Sequence, residues 1–327
     1  MAALLGALAL SAGCGETAAS RDAGADGAPD ARRRLPPLPP ASAFLGAERF
    51  DCTAAGPFER PTTAPPLSCH RDAGCTIPLI VAHRMGTPFA PENSLAALRA
   101  SILLGVDIAE TDIRLSADGE VVLMHDSQVD RTLLGVGAVS ELSLAELRAL
   151  PMQVEPAQTP GDFECERVPT LDEIFALSRG RIIVELEVKE LAAGVQAALY
   201  LQANALYDDA FLLCDPAECD AARTVAPEVP IMTRPRDASE LAAALAYDPP
   251  ARLVHIDATD AFLTPANLAA IDAIGAKVYA NGFAADALAL LADDLSGYQS
   301  AYEPGLDVLQ VEFPHWALLS HGRLALP

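Results

Sequence analysis

Four short segments between residues 80 and 189 decide the fold: IVAHR (80–84), AETD (109–112), VLMHD (122–126) and VELEVK (184–189). Their apolar residues are typical of buried strands, and each segment ends in charged or ionisable side chains. Such groups at the ends of buried strands are costly unless they pair with one another or with an ion. Because strand ends on one rim of a barrel converge in space, we expect the four ends to form a single site.

The rest of the chain alternates between strand and helix patterns. Nine strands are predicted, at 79–84, 107–115, 121–125, 182–188, 211–214, 230–233, 253–256, 277–280 and 308–313. Helical stretches separate them, including 95–101, 143–150, 170–178, 191–206, 238–247 and 285–292. The Asp118-Gly119 pair predicts a tight return between the second and third strands.

This order predicts an α/β fold, a somewhat irregular (β/α)8 TIM-type barrel with one extra strand. An open doubly wound sheet is the alternative. It is less favoured because it would concentrate polar strand ends at its switch point, whereas here they occur on four successive strands.

Composition limits the possible partners. With 327 residues, of which 51% are hydrophobic and 20% charged, most of the chain is expected to be globular. A formal net charge of -23 argues against a nucleic-acid partner, because little would neutralise a phosphate backbone. A site for a small phosphate compound would have to create its own positive field, for which Arg84, Lys189 and a bound divalent cation are candidates.

Residues 1–14 resemble a lipoprotein-type signal segment. The run 2–13 consists of apolar and small residues, is too short to span a bilayer, and leads into Cys14, the residue that would be lipidated. We therefore expect an exported protein, periplasmic or on the cell surface, with a lipid anchor in the membrane. A plain secretory signal or a misassigned start codon is the alternative, since no Lys or Arg precedes the run.

Two further regions are predicted after this signal. Residues 15–45, rich in Pro, Ala and Gly, are expected to form a disordered tether. Residues 46–327 are expected to form the barrel domain.

The remaining six cysteines are an even number, which is compatible with three disulfides in an oxidising compartment. Proximity along the chain favours the pairs Cys214–Cys219 and Cys69–Cys75, leaving Cys52 with Cys165. Free buried thiols are the alternative for some of them. Their spacing does not match a structural zinc site.

A metal site is predicted from three carboxylates. Glu110 and Asp112 are two residues apart on one strand, so both face the same side, and Glu187 on another strand can meet them. Carboxylate oxygens with open positions suit a hard divalent cation, Mg²⁺ or Ca²⁺, better than zinc. The alternative is a cluster without metal, paired with Arg84 and Lys189.

His83 and His125 each close an apolar run. A single histidine at a strand end is usually structural, but two beside the same carboxylates fit an acid/base couple, since imidazole titrates near neutral pH. Arg84 and Lys189 can each hold a phosphate oxygen. These groups suit phosphodiester cleavage, in which cations stabilise the developing charge, one histidine activates the nucleophile and the other protonates the leaving oxygen.

A longer series of motifs has the same order: His83-Arg84, Pro91-Glu92-Asn93-Ser94, Glu110-x-Asp112, Asp118-Gly119, Val121-Val122-x-x-His125-Asp126, Asp130-Arg131-Thr132, Pro169-Thr170-Leu171-x-Glu173 and Glu187-x-Lys189. The series resembles the glycerophosphodiester phosphodiesterase family, most strongly over residues 78–190. The resemblance implies a barrel of the phosphatidylinositol-phospholipase-C type. It also implies these roles: a divalent metal on Glu110, Asp112 and Glu187, catalysis by His83 and His125, and support of the His-Arg pair by Glu92.

Some positions depart from the family's pattern. Met85 stands where the family commonly has Gly, and we expect it to narrow the approach of the backbone to the phosphate. Residues 279–282 and 311–314 differ from the family's late motifs, so the half of the pocket that recognises the alcohol is predicted to be remodelled. Glu185 competes with Glu187 for the third metal position, and the Glu-x-Lys spacing favours Glu187.

The sequence therefore predicts a phosphoric diester hydrolase that converts small glycerophosphodiesters to an alcohol and glycerol 3-phosphate. One alternative is a related exported phospholipase that acts on lysophospholipid or sphingophospholipid head groups. Another is a non-catalytic barrel lipoprotein, which would be expected to lack a histidine or a metal carboxylate. None of these residues is missing from the chain.

Overall fold

Eight parallel strands close into a ring, and a ninth pairs with the end of one of them. The computed structural model describes residues 36–257, 261, 263–303 and 305–327. The strands in these ranges are β1 (Leu79–Ala82), β2 (Ile108–Leu115), β3 (Val121–Leu123), β4 (Ile183–Val188), β5 (Ala210–Cys214), β6 (Ile231–Thr233), β7 (Leu253–His255), β8 (Lys277–Asn281) and β9 (Val308–Val311). The ring closes because β1 pairs in parallel with both β2 and β9.

The predicted extra strand is β3, which runs antiparallel to the end of β2 with Arg114 opposite Val122. The turn between them contains Gly119, whose φ of 84° lies in the left-handed region that glycine adopts without steric cost. The predicted barrel with one extra strand is thus confirmed. The open doubly wound sheet is excluded, because the pairing of β1 with β9 leaves no edge in the ring.

Helices follow the strands around the outside of the ring. They are α1 (Ala41–Phe44), α2 (Leu95–Leu104), α3 (Leu144–Ala149), α4 (Leu171–Ser178), α5 (Leu191–Ala203), α6 (Pro216–Val225), α7 (Ala238–Ala244), α8 (Pro265–Ala273), α9 (Phe283–Ala292), α10 (Ser296–Ser300) and α11 (Pro314–Ser320). Ser94 caps α2 by accepting a hydrogen bond from the backbone N–H of Ala97, and Gly105 ends the helix with a φ of 77°.

The interior of the ring is apolar at its base and acidic toward its rim. The apolar part includes Leu79, Val81, Ile108, Ile183, Phe211, Leu213, Met232, Leu253, Tyr279 and Val308. Residues two apart on a strand face the same side. The inner face therefore continues along β2 and β4 with four carboxylates: Glu110, Asp112, Glu185 and Glu187.

A buried ion cluster lies at the opposite end of the ring. Asp107, which immediately precedes β2, contacts the guanidinium of Arg323 at 2.6 and 2.9 Å and that of Arg60 at 2.8 Å. It also accepts a hydrogen bond from the backbone N–H of Ile80. Removing one member would leave buried charge without its partner, so this end of the barrel serves stability.

The packed region begins before the boundary predicted at residue 46. It starts at Pro37, where the Leu38 N–H donates to Asp293 Oδ1 at 2.9 Å and Trp316 Nε1 donates to the Pro39 carbonyl at 2.8 Å. These bonds hold the segment before α1 against the barrel, so the predicted tether of 15–45 differs from the structure over residues 37–45. The signal segment 1–14 with Cys14, and residues 15–35, lie outside the described residues.

The three predicted disulfides, Cys52–Cys165, Cys69–Cys75 and Cys214–Cys219, are present in the structure. The alternative of free buried thiols is therefore wrong for these six residues. Within the described ranges, no helix has both the length and the apolar character needed to cross a membrane.

Candidate active site

Three carboxylates converge at the rim of the barrel. Glu110 and Asp112 on β2 and Glu187 on β4 each contribute an oxygen to a group in which all oxygens lie within 4.8 Å of one another. The strand register explains this, because Asp112 is paired with Glu187 across the two parallel strands. Glu185, which is paired with Glu110, does not belong to this group, so the geometry favours Glu187 as the sequence predicted.

The three carboxylates of the cluster stand beside two cations, Lys189 and Arg84. Burial raises the pKa of Glu110 well above its ordinary value, and the charges of Asp112 and Glu187 add to the effect. Burial also acts against the charge of Asp112, but Lys189 and His125 hold its pKa below the ordinary value. Glu110 Oε1 is buried without a hydrogen-bond partner among the described residues, as expected for an oxygen that ligates a cation.

The donor set fits a hard divalent cation. All three side chains supply carboxylate oxygen, the ligand type that Mg²⁺ and Ca²⁺ take in proteins. Cys52, Cys165 and Glu166 form a second close group, but the two cysteines are joined in a disulfide and have no thiolate to offer. In the described part of the chain, only the rim group therefore has the chemistry of a metal site.

Two cations contact the carboxylate cluster. Lys189 Nζ lies 2.9 Å from Asp112 Oδ1 and 2.8 Å from Glu187 Oε1. The backbone N–H of Arg84 donates to Glu110 Oε2 at 2.7 Å, and the Arg84 guanidinium donates to Glu92 at 2.9 Å. The Arg84 Nε lies 3.8 Å from Asp112 Oδ2, so both cations stand beside the carboxylate cluster.

The turn after β1 is what aims the Arg84 N–H at the cluster. Arg84 and Met85 have φ values of 48° and 68°, a left-handed conformation that non-glycine residues adopt at a cost. The Met85 side chain is fully buried in the core between barrel and helices, and the Ser101 hydroxyl donates to its carbonyl oxygen. Met85 thus packs in the core between the barrel and the surrounding helices. It is absent from the described residues that line the cavity of the site.

Each histidine is held by a carboxylate on the same ring nitrogen. His83 Nδ1 lies 2.6 Å from Glu312 Oε1, and His125 Nδ1 lies 2.6 Å from Asp126 Oδ1. An ionised carboxylate only accepts hydrogen bonds, so the geometry assigns the proton to Nδ1 and leaves Nε2 as the reactive nitrogen. For His83 this Nε2 lies 4.0 Å from Glu110 Oε2, which places it directly beside the carboxylate cluster.

One cavity of about 240 Å³ joins these groups. Its lining includes His83, Arg84, His125, Glu187, Lys189, Leu213, Arg234, His255, Asn281, Phe283 and Gln310. The two histidines, the two cations and one metal carboxylate predicted from the sequence therefore share a single space. This cavity can hold a small anionic ligand with ionisable imidazoles beside it.

The family model described as "Glycerophosphoryl diester phosphodiesterase family" matches residues 83–279. The chain belongs to this family. The match begins at the first histidine of the cavity and ends within β8, so it covers most of the barrel and confirms the resemblance predicted from the motifs.

Relatives in the glycerophosphoryl diester phosphodiesterase family match parts of the chain. A glycerophosphodiester phosphodiesterase of Caldanaerobacter subterraneus subsp. tengcongensis is 38% identical over 112 residues, which are 34% of this chain and 45% of the relative. Glycerophosphodiester phosphodiesterase 1 of Mus musculus is 37% identical over 139 residues, 40% of this chain and 41% of the relative. The matches thus span less than half the length of these relatives.

A solved structure matches more of the chain. The crystal structure of glycerophosphodiester phosphodiesterase from Agrobacterium tumefaciens str. C58 superposes with a TM-score of 0.60 at 25% sequence identity, over 74% of this chain and 99% of that one. The likeness covers the closed barrel with its outer helices.

The family motifs did not reveal every residue of the site. Glu312 lies in a stretch that departs from the family's late motif, and the motifs that contain Asp126 and Arg131 assign these residues no role. Arg131 contacts both oxygens of Glu92 at 2.7 Å and also binds Asp126. Glu92, predicted to support the His-Arg pair, therefore connects Arg84 with the partner of His125.

We expect the wild-type protein to bind one Mg²⁺ or Ca²⁺ in calorimetric titration. Glu110→Gln should weaken binding by about tenfold or more, because the amide keeps the shape of the side chain but removes a charged ligand. Glu120→Gln, an exposed carboxylate in the turn before β3, is the matched control and should bind as the wild type does. Equal affinities for Glu110→Gln and the wild type would contradict the assignment.

Proposed function

We propose that the protein is a metal-dependent phosphodiesterase that hydrolyses glycerophosphodiesters to an alcohol and glycerol 3-phosphate. The observation that carries this proposal is one cavity lined by two carboxylate-held histidines, three cations and one carboxylate of the candidate metal group. Family membership supports the same reaction class.

The metal carboxylates would act with the cations of the rim on the phosphate. A divalent cation, Mg²⁺ or Ca²⁺, held by Glu110, Asp112 and Glu187 would stabilise the charge that develops on the phosphate oxygens. Asn93 Nδ2 donates to Asp112 Oδ2 at 2.9 Å and fixes the orientation of that ligand. Arg84 and Lys189 line the cavity and can donate to the phosphate oxygens.

The histidines would move the protons. The Nε2 atom of one takes a proton from the attacking nucleophile, and the Nε2 atom of the other gives a proton to the leaving oxygen. Glu312 and Asp126 hold the two rings through Nδ1 and stabilise the imidazolium that forms during proton transfer. Because both rings line the same cavity, they can act on one phosphodiester.

The lining of the cavity favours a small polar substrate over a lipid. Leu213 and Phe283 are the apolar side chains among the described lining residues, and the others are charged or polar. An acyl chain would need a wider apolar surface than this. The reading as a phospholipase that acts on lysophospholipids is therefore less favoured, and a non-catalytic barrel is disfavoured because every catalytic side chain is present.

To test the reaction, we expect hydrolysis of glycerophosphocholine, glycerophosphoethanolamine or glycerophosphoglycerol, with release of glycerol 3-phosphate measured by a coupled assay. His83→Ala and His125→Ala should each lower kcat by about 10²–10⁴-fold, the usual contribution of general acid/base catalysis. His321→Ala, outside the cavity after α11, is the matched control and should keep its rate.

Thermal melting of each variant separates a loss of chemistry from a loss of fold. A near-native kcat for a folded His83→Ala or His125→Ala variant would remove that residue from the mechanism. Faster turnover of lysophosphatidylcholine than of every glycerophosphodiester would favour the phospholipase instead.

We also propose that the protein is exported and anchored in the membrane by a lipid on Cys14. Three disulfides support an oxidising compartment, such as the periplasm or the cell surface. The small residues before Cys14 support lipidation.

This localisation is tested by cell fractionation. The wild-type protein should sediment with membranes and depend on a globomycin-sensitive processing step, whereas Cys14→Ser should appear in the soluble fraction. Equal membrane association of the Cys14→Ser variant would contradict lipidation at this residue.

A further inference from the structure

Asp257 joins the ends of three neighbouring strands on the far side of the ring. Its Oδ2 accepts a hydrogen bond from Arg234 Nη2 at 2.9 Å, and its Oδ1 accepts from His255 Nε2 and from the Asn281 N–H, both at 3.0 Å. Arg234 follows β6, His255 ends β7 and Asn281 ends β8. β7 stands four strands from β2 in either direction around the ring, so this network faces the carboxylate cluster across the barrel mouth.

Arg234 is the most accessible of the cations that line the cavity. Its side chain is 41% exposed, compared with 17% for Arg84 and 15% for Lys189. The guanidinium of Arg84 already contacts Glu92. The ammonium of Lys189 already contacts Asp112 and Glu187. Arg234 uses Nη2 to bind Asp257, and its Nε and Nη1 have no acceptor among the described residues. Arg234 therefore keeps hydrogen-bond donors that a ligand can use.

Asp257 fixes the guanidinium in place. Burial acts against the charge of Asp257, but the hydrogen bond from His255, the Asn281 N–H and the charge of Arg234 hold its pKa well below the ordinary value. These contacts favour the ionised form of the carboxylate. A guanidinium held on one side by an ionised carboxylate presents its remaining donors in a fixed direction.

The size of the cavity brings Arg234 within reach of the same ligand as Lys189. The space of about 240 Å³ is lined by both, together with Arg84 and the two histidines. Among the described lining residues, three are cations and one, Glu187, is a carboxylate that Lys189 already contacts at 2.8 Å. A second cavity of about 220 Å³ shares Lys189 and Arg234 with the first, so Arg234 stands where the two meet.

We propose that Arg234, positioned by Asp257, is a third cationic contact for the phosphate, donating from Nε and Nη1 at the end of β6. The inference rests on the proposed function and adds a residue that the family motifs of this chain do not contain. In a chain with a net charge of -23, Arg234 adds a cation at the end of β6 to the two cations beside the carboxylate cluster.

The test is calorimetric titration of inorganic phosphate into the full chain in the presence of Mg²⁺. Arg234→Gln should weaken phosphate binding by about tenfold to a hundredfold, the usual contribution of hydrogen bonds to a charged group. Arg234→Lys keeps the charge but loses the planar fork, so its affinity should lie between those of the wild type and Arg234→Gln.

Arg236→Gln is the matched control. Arg236 is two residues away and 68% exposed, pairs with Asp215, and lines only the second cavity. Its removal should change phosphate affinity by less than about twofold, as expected for an exposed ion pair. If Arg234→Gln and Arg236→Gln weaken phosphate binding equally, the loss reflects only the change in overall charge, and the proposal is overturned.

Kinetics separate this proposal from the proposed function. If the wild type hydrolyses glycerophosphodiesters, Arg234→Gln should raise KM by about the factor lost in phosphate affinity. If the wild type turns over substrate and a folded Arg234→Gln variant has unchanged Kd and KM, the role of Arg234 is overturned and the proposed function stands. A wild type that neither binds phosphate nor turns over substrate would overturn both proposals. Should Arg234→Gln fail to fold, Arg234→Lys with wild-type affinity would overturn the role instead.

Discussion

The parallel register of β2 and β4 is the constraint on which the site depends. It places Glu110 beside Glu185 and Asp112 beside Glu187 on the inner face of a closed barrel. Four neighbouring carboxylates in such a place are unfavourable without compensating positive charge. The chain supplies part of it through Lys189 and Arg84, and a divalent cation bound to three of the four would supply the rest.

The two histidines are held by carboxylates in different surroundings. The backbone of Glu312 is held by Asp286, which accepts hydrogen bonds from the Glu312 N–H at 2.8 Å and from the Tyr298 hydroxyl at 2.7 Å. Burial raises the pKa of Asp286 to about 7. Asp126 instead is shared with Arg131: partial burial opposes its charge, but Arg131 and His125 lower its pKa to about 2. The two imidazoles thus line the same cavity while being held by carboxylates in different electrostatic environments.

The fold and half of the site follow from local sequence patterns. All nine strands could be predicted because each is a short apolar run between turn residues, and β3 because Asp118-Gly119 forces a return. The convergence of Glu110, Asp112 and Glu187 could be predicted because strand periodicity fixes which side chains share a face. Helices α6, α8 and α11 are not among the predicted stretches, although each begins with a proline, a residue that is common at the first position of a helix.

The other half of the site depends on contacts between distant residues. Glu312 meets His83 across 229 positions of the chain, and Asp257 meets Arg234 across 23 positions, so neither pairing has a local signature. The packing of the segment before α1 also has no local signature, because Trp316 Nε1 donates to the Pro39 carbonyl across 277 positions of the chain. The pairing of β9 with β1 closes the ring. This closure brings residues that are far apart in the sequence to the walls of one cavity.

We propose that a divalent cation completes a phosphodiesterase site built on the carboxylates of β2 and β4. The most direct measurement is the initial rate of glycerophosphodiester hydrolysis by wild-type protein freed of metal with a chelator and then titrated with Mg²⁺ or Ca²⁺. We expect no measurable rate in excess chelator and full recovery at saturating cation. Undiminished hydrolysis in excess chelator would contradict the claim.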